Sequence, residues 1–207
     1  MTSSFADMLI QGESILIPYQ ANAMDVQYLT GLSEANLSIA KQFSRLATVF
    51  VSLEDNAAET APTDGTAAQA LTKSMNNCFL PQDSGKSIAP VESHITVNNQ
   101  RWPQFNTVGT KHHFVRLLQC LGVWNSVSHA VNISAEGYGD GTKISRQFVA
   151  GFDLESVPQA EASGIPVQGG GTVQIFLKNI TGAKKAYIAT HYDSVLEIKS
   201  QGAIVYT

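Results

Sequence analysis

Residues Gly169 to Thr207 read GGGTVQIFLKNITGAKKAYIATHYDSVLEIKSQGAIVYT. Val173, Ile175 and Leu177 alternate with Gln174, Phe176 and Lys178, the period-two pattern of a strand with one buried face. Asn179-Ile-Thr-Gly182 interrupts the run with turn chemistry. Tyr187–Ile198 is a second, longer β-rich run, and Gln201-Gly202 separates it from a short strand at Ala203–Tyr206. A stretch of this kind is expected to close a sheet.

Working backwards, Pro158–Gly171 reads as a long loop. Gln147–Leu154 sets Phe148, Ala150, Phe152 and Leu154 on one side of a strand, and Tyr138–Gly141 reads as a turn. Asn132–Ala135 reads as a strand. A helix is predicted over about 110–121, with Thr110 as N-cap, Phe114, Leu117, Leu118 and Leu121 on one apolar face, and Gly122 ending it in the left-handed region. Val91–Val97 alternates as a strand, and Asn98-Asn99-Gln100 turns into Arg101-Trp102-Pro103. Leu37–Leu53 reads as two strands joined near Ser44-Arg45, with a helix over 33–44 as the competing reading. Ile15-Leu-Ile17 reads as a short strand ended by Pro18, preceded by one or two helical turns or an arm over 1–13. Glu54–Thr72 is a small, polar loop, and Gln82–Ala89 another.

The result is an all-β chain, a jelly-roll β-sandwich of about eight antiparallel strands with one inserted helix and no βαβ rhythm. Residues 1–36 form an N-terminal arm and first short strand. Residues 37–207 form the jelly roll, with loop excursions at 54–72 and 158–171.

Composition narrows the function. The chain has 207 residues and is 43% hydrophobic but only 14% charged, against ~25% charged in ordinary soluble domains. A surface so poor in charge suits cover by partners, although neutral polar loops alone would also produce it. A net charge of −4 supplies no basic stripe for nucleic acid. No apolar run reaches the ~18 residues of a membrane span, and no signal peptide is seen, so a soluble chain made in a reducing cytoplasmic or nuclear compartment is expected. Cys78 and Cys120, flanked by apolar residues, read as buried free thiols.

No catalytic, cofactor or metal constellation emerges. His112 and His113 are adjacent on the predicted helix, about 100° apart, and cannot share a metal from one face. His94, His129 and His191 lack ligand spacing, so isolated surface or interface histidines are expected. Asp83-Ser-Gly85-Lys86-Ser87 ends like a phosphate loop, but Leu80 stands where its first glycine is required. Gly137, Gly139 and Gly141 do not fit a dinucleotide fingerprint. Ser128, His129 and Asp153 make a triad only on paper, and the carboxylates Glu136 and Asp140, or Asp153 and Glu155, have no diagnostic spacing. Trp102 and Trp124 could stack on a sugar, with Tyr138 as a further platform. Beside Pro103 and Phe105, however, Trp102 reads as a loop anchor in the core.

The segment Ala189-Thr-His-Tyr192-Asp-Ser-Val195-Leu196-Glu-Ile198-Lys-Ser200-Gln-Gly202-Ala-Ile-Val-Tyr206 resembles the close of the double jelly-roll major capsid proteins of large eukaryotic DNA viruses, virophages and polinton-like elements. An aromatic strand, Val-Leu-x-Ile, a Ser-Gly turn and a short last strand follow in that family's order. Phe148–Leu154, a Gly-containing loop and Thr172–Leu177 precede them as expected. Leu37–Leu53 resembles the paired strands that open the second half, and Val91–Pro103 the segment before its inserted helix. The resemblance runs from about residue 37 onward. It implies a viral or virus-derived capsid subunit, assembled as trimers or pseudo-hexamers with other capsid proteins in the virion, without enzyme activity or cofactor. The length has room for one sandwich, which suits a C-terminal half, a piece of a split coat protein or a single jelly-roll relative. The rival readings are a carbohydrate- or ligand-binding β-sandwich and a β-sandwich hydrolase using Asp153 or Glu136.

Overall fold

The structure, a computed structural model, describes residues 14–30, 33–55, 90–123, 133, 138, 148–155, 163–180 and 184–206. Its elements in chain order are β1 (Ile15–Leu29), β2 (Glu34–Ile39), β3 (Phe43–Asp55), β4 (Glu92–Val97), β5 (Gln100–Val108), α1 (Gly109–Cys120), β6 (Val149–Asp153), β7 (Ile165–Val167), β8 (Val173–Lys178), β9 (Lys184–Lys199) and β10 (Gly202–Tyr206).

The antiparallel pairs are nested. β4 pairs with β5, β3 with β6, β2 with β8 and β1 with β9. The chain is one long hairpin folded over on itself. Contacts of β9 with β3 and of β8 with β4 then close it into two sheets. Sheet A has the order β1-β9-β3-β6, with β7 added on β3 and β10 on β9; sheet B has the order β2-β8-β4-β5. This rolled hairpin is the jelly roll.

The inner faces follow from alternation. Leu37 and Ile39 of β2, Val173, Ile175 and Leu177 of β8, and Ile95 and Val97 of β4 meet Val49, Val51 and Leu53 of β3 and Ala186 and Ile188 of β9 in one core. Strand β3 places Phe43, Leu46 and Val49 in that core at intervals of three. Its pairing shifts twice, between Phe43 and Leu46 and between Leu46 and Thr48. Each extra residue turns the next side chain to the opposite face. At one end of the core Tyr192 packs 5.0 Å from Phe43, and Lys41 Nζ donates to its hydroxyl at 2.7 Å.

Several expectations are corrected. The strand begun at Ile15 does not stop at Pro18. It runs to Leu29, with all its residues paired to β9. Among the described residues β1 pairs on that side only, so the proline, which lacks an N–H, sits on an edge strand that tolerates it. The described part of residues 1–36 therefore belongs to the roll rather than to an arm ahead of it. Strands β2 and β3 join at residues 40–42 instead of Ser44-Arg45, and the competing helix is absent. The loop expected from residue 54 starts later, because Glu54 and Asp55 still pair with Lys185 and Lys184. The loop expected over 158–171 contains β7, held on β3 where Gly164 lets the chains approach: a Cβ there would lie 2.6 Å from Leu46 O. The arm at 1–13, the rest of the 54–72 excursion, the loop at 82–89 and the strand at 132–135 lie outside the described residues.

The helix begins one residue earlier than expected, with Val108 in the N-cap position and no side-chain cap. Gly122 ends it at φ 66°. The Gly122 N–H bonds Gln119 O at 2.9 Å and the Val123 N–H bonds Leu118 O at 3.1 Å, which is the Schellman pattern. Its buried face is Thr110, His113 and Leu117, rotated from the expected one, and Leu121 is exposed.

Candidate assembly surface

The strongest hydrogen-bonded chemical pair is sealed. His113 Nε2 lies 2.8 Å from Ser93 Oγ, and His113 Nδ1 lies 2.7 Å from Gly109 O. With Nδ1 donating to the carbonyl, the neutral ring accepts from the serine. Both residues are 1% exposed, and the ring packs 5.3 Å from Phe148. The pair fastens α1 to β4. It has no route to a substrate, and it corrects the expectation of a surface histidine.

The other candidates are dispersed. His94 faces outward on β4, 4.8 Å from the Phe176 ring. Burial, with Arg101 nearby, keeps it below its ordinary pKa. His191 faces outward on β9 against Phe50 at 5.4 Å, and burial lowers it likewise. His112 is exposed on α1, where burial and Arg116 lower it. The Asp153 carboxyl is pushed up by burial and accepts from the Glu155 N–H at 3.0 Å. Among the described residues no three His, Cys, Asp or Glu side chains gather as a metal site, and no helix is long and apolar enough to cross a membrane. Ser128, His129, Glu136, Asp140, the glycine turn, Asp83–Ser87, Trp124 and Cys78 lie outside the described residues. Cys120 is a free thiol pushed up by burial.

Two aromatic expectations change. Tyr138 is 1% exposed, packed between Phe114 at 5.1 Å and Phe148 at 5.2 Å, and its hydroxyl donates to Val149 O at 2.8 Å. It cannot serve as a sugar platform. Trp102 is on β5, opposite Ile95, and 40% exposed instead of anchored in the core. The pairing of β4 with β5 jumps from Thr107 to Trp102. The excursion between them carries Phe105 outward, 82% exposed.

The outer faces of the two sheets are unlike. Across β2, β8 and β4 sheet B presents Glu34, Asn36, Ser38, Gln174, Lys178, Glu92, His94 and Thr96, with Phe176 as the large apolar side chain there, and its edge strand β5 adds Val108 and Phe105. Its polar groups bond to one another: Lys178 with Glu34 at 3.4 Å, Asn106 to Glu92 at 2.8 Å, and Arg101 to Asn106. Sheet A presents Leu16, Met24, Val26 and Tyr28 on β1 and Ile204 and Tyr206 on β10, between 39% and 71% exposed.

Charges on that face are held within it. Lys185 lies over the Tyr28 and Tyr187 rings at 5.6 and 5.2 Å, and Tyr187 donates to Glu54 at 2.8 Å. Lys199 meets Glu197 at 2.9 Å and Tyr206 donates to it at 2.8 Å; both hold the Glu197 carboxyl below its ordinary value. Among the described residues the face is covered near β6, by α1. There Gly151 admits no side chain: a Cβ would lie 2.9 Å from Cys120 Sγ and 3.3 Å from Leu117 Cα. The sequence reading missed this surface. Its one signal was Ile15–Leu29 itself, which holds a single charge, Asp25.

No family model matches the sequence, and no curated protein matches it. Solved structures do. A chain of the PBCV-1 virus capsid superimposes over 100% of this chain and 54% of its own length, with a TM-score of 0.52 at 10% identity. A chain of the Sputnik virophage matches over 93% of this chain and 39% of its own, TM-score 0.46 at 13% identity. The mavirus major capsid protein matches over 93% and 41%, TM-score 0.42 at 8% identity. The chain thus spans about half the length of the PBCV-1 chain that it matches. Its jelly-roll fold is shared with a PBCV-1 capsid chain, and the resemblance to double jelly-roll capsid proteins holds at the level of fold.

Proposed function

We propose that this chain is a structural subunit of a viral or virus-derived capsid, a jelly roll that associates with its own kind into capsomers. The observation that carries the reading is the nested pairing β4–β5, β3–β6, β2–β8, β1–β9 with α1 inserted after β5. The chain superimposes over 100% of its own length on 54% of a PBCV-1 capsid chain. The low charge, 14% of residues, supports it, because interface cores are depleted of charged side chains. The capsomer is a trimer or pseudo-hexamer in contact with other capsid proteins, and its place is the virion. The reading assigns no reaction and no cofactor.

Size-exclusion chromatography with light scattering, followed by negative-stain microscopy, tests it. Discrete oligomers that build ring- or shell-like particles are expected. A chain that stays monomeric at high micromolar concentration, with and without co-expressed capsid partners, overturns the reading.

A further inference from the structure

From the contrast between the two outer faces, we infer that the β1 side of sheet A is the surface on which a second copy of this chain docks. The inference rests on the coat-protein reading and names the contact. An antiparallel sheet with one face in water alternates apolar-in and polar-out. Strands β2, β8 and β4 of sheet B obey this rule, and β1 breaks it at Leu16, Met24, Val26 and Tyr28.

Three observations choose the occupant. First, size: Leu16, Ile204 and Tyr206 at one end of the face and Met24, Val26 and Tyr28 at the other, with Gln20 and Asn22 between them, leave roughly three whole side chains' worth of surface in water, about 600 Å² at ~200 Å² each. Two such faces bury about 1,200 Å², above the ~1,000 Å² that a specific protein interface needs. Second, charge: the lysines and glutamates of the face are already engaged within it. These groups offer little to a strongly charged partner, whereas a nearly neutral face meets its own copy with little repulsion. Third, the edge: among the described residues β1 pairs only with β9, through fifteen consecutive partners without a shift in register. Edge strands of monomers are shielded by lysines, bulges or short length. The stretch Ile15–Leu29 has no lysine or arginine and one carboxylate, and it is long. Its open main-chain groups suit a contact in which a strand of the second copy pairs with them.

The test compares the full chain with Met24→Lys/Tyr28→Lys on sheet A and Gln174→Lys/Thr96→Lys on sheet B, by light scattering across concentration. All four positions point outward, and circular dichroism and thermal unfolding verify each fold. The sheet A pair is expected to weaken self-association at least tenfold while the sheet B pair leaves it unchanged. Should the lysine pair fail to fold, Met24→Gln/Tyr28→Gln replaces it. Hydrogen exchange on the unaltered chain supplies an independent readout: β1 amides slow as concentration rises. Oligomers that persist in the sheet A variant, with β1 exchange unaffected by concentration, overturn the docking face and leave the coat reading standing. An unaltered chain that never associates overturns both.

Discussion

The two sheets share one core and differ on the side turned away from it. Sheet B ends in a polar net of Glu92, Asn106, Arg101, Lys178 and Glu34. Sheet A ends in Leu16, Met24, Val26 and Tyr28, with its charges tucked against its own aromatic rings. Folding alone does not require this difference, because the two inner faces bury each other whatever the outer faces carry. The polar face pairs its charges with one another where water reaches them. The apolar face holds surface in water with no return to the single chain, and such patches mark places where another surface belongs.

The comparison can be broken from the inside out. The inner faces carry the stability of the single roll, so Ile175→Ala, at a fully buried position of β8, is expected to lower the free energy of unfolding by about 2–5 kcal/mol in denaturant titration. A loss below about 1 kcal/mol would show that the sandwich core is not where the fold is held.

Next comes the part of the sheet A outer face that α1 covers. Gly151→Ala drives a methyl into Cys120 Sγ and toward the Leu117 backbone, at about 1–3 kcal/mol. Adding Cys120→Ala removes the nearer clash and is expected to recover part of that loss. A strictly additive pair would mean that the strain lies elsewhere.

The smallest effect separates the faces by pH. His94 on sheet B and His191 on sheet A both sit below their ordinary pKa of 6.5 because burial disfavours the charged ring. The unfolded chain therefore binds more protons than the native one below about pH 6.5. Stability is complete above that pH and falls as pH drops toward the depressed native values. Thermal unfolding from pH 7.5 to 5 is expected to show a lowered midpoint that flattens in His94→Gln/His191→Gln. An unaltered slope in the double variant would remove the histidines from the account.

Much of the roll was legible because alternation is a local property. Residues 169–207 announced β8, β9 and β10, Val91–Val97 announced β4, and Phe148–Leu154 announced β6. Gly122 announced the end of α1 because a left-handed residue there needs no tertiary context. The misreadings share one cause. The helix was expected to bury Phe114, Leu117 and Leu118; it buries His113 beside Leu117 and leaves Phe114 and Leu118 half-buried, because Ser93 and the Gly109 carbonyl satisfy both ring nitrogens. Strand β1 was cut short at Pro18, since the strand that makes it a strand, β9, lies far along the chain. Strand β7 is three residues long and exists because Phe43 and Leu46 are beside it.

The sequence by itself determined which residues of β4, β8 and β9 share a face, the glycine stop of α1 and how scarce charge is. All three are written in neighbouring residues. Only the tertiary structure decided which of those faces became interior. A strand's alternation sorts its side chains into two sets without saying which set will be covered. Nested pairing covered both inner faces, and it carried Ile15–Leu29 to the rim of sheet A with its apolar outer set still in water.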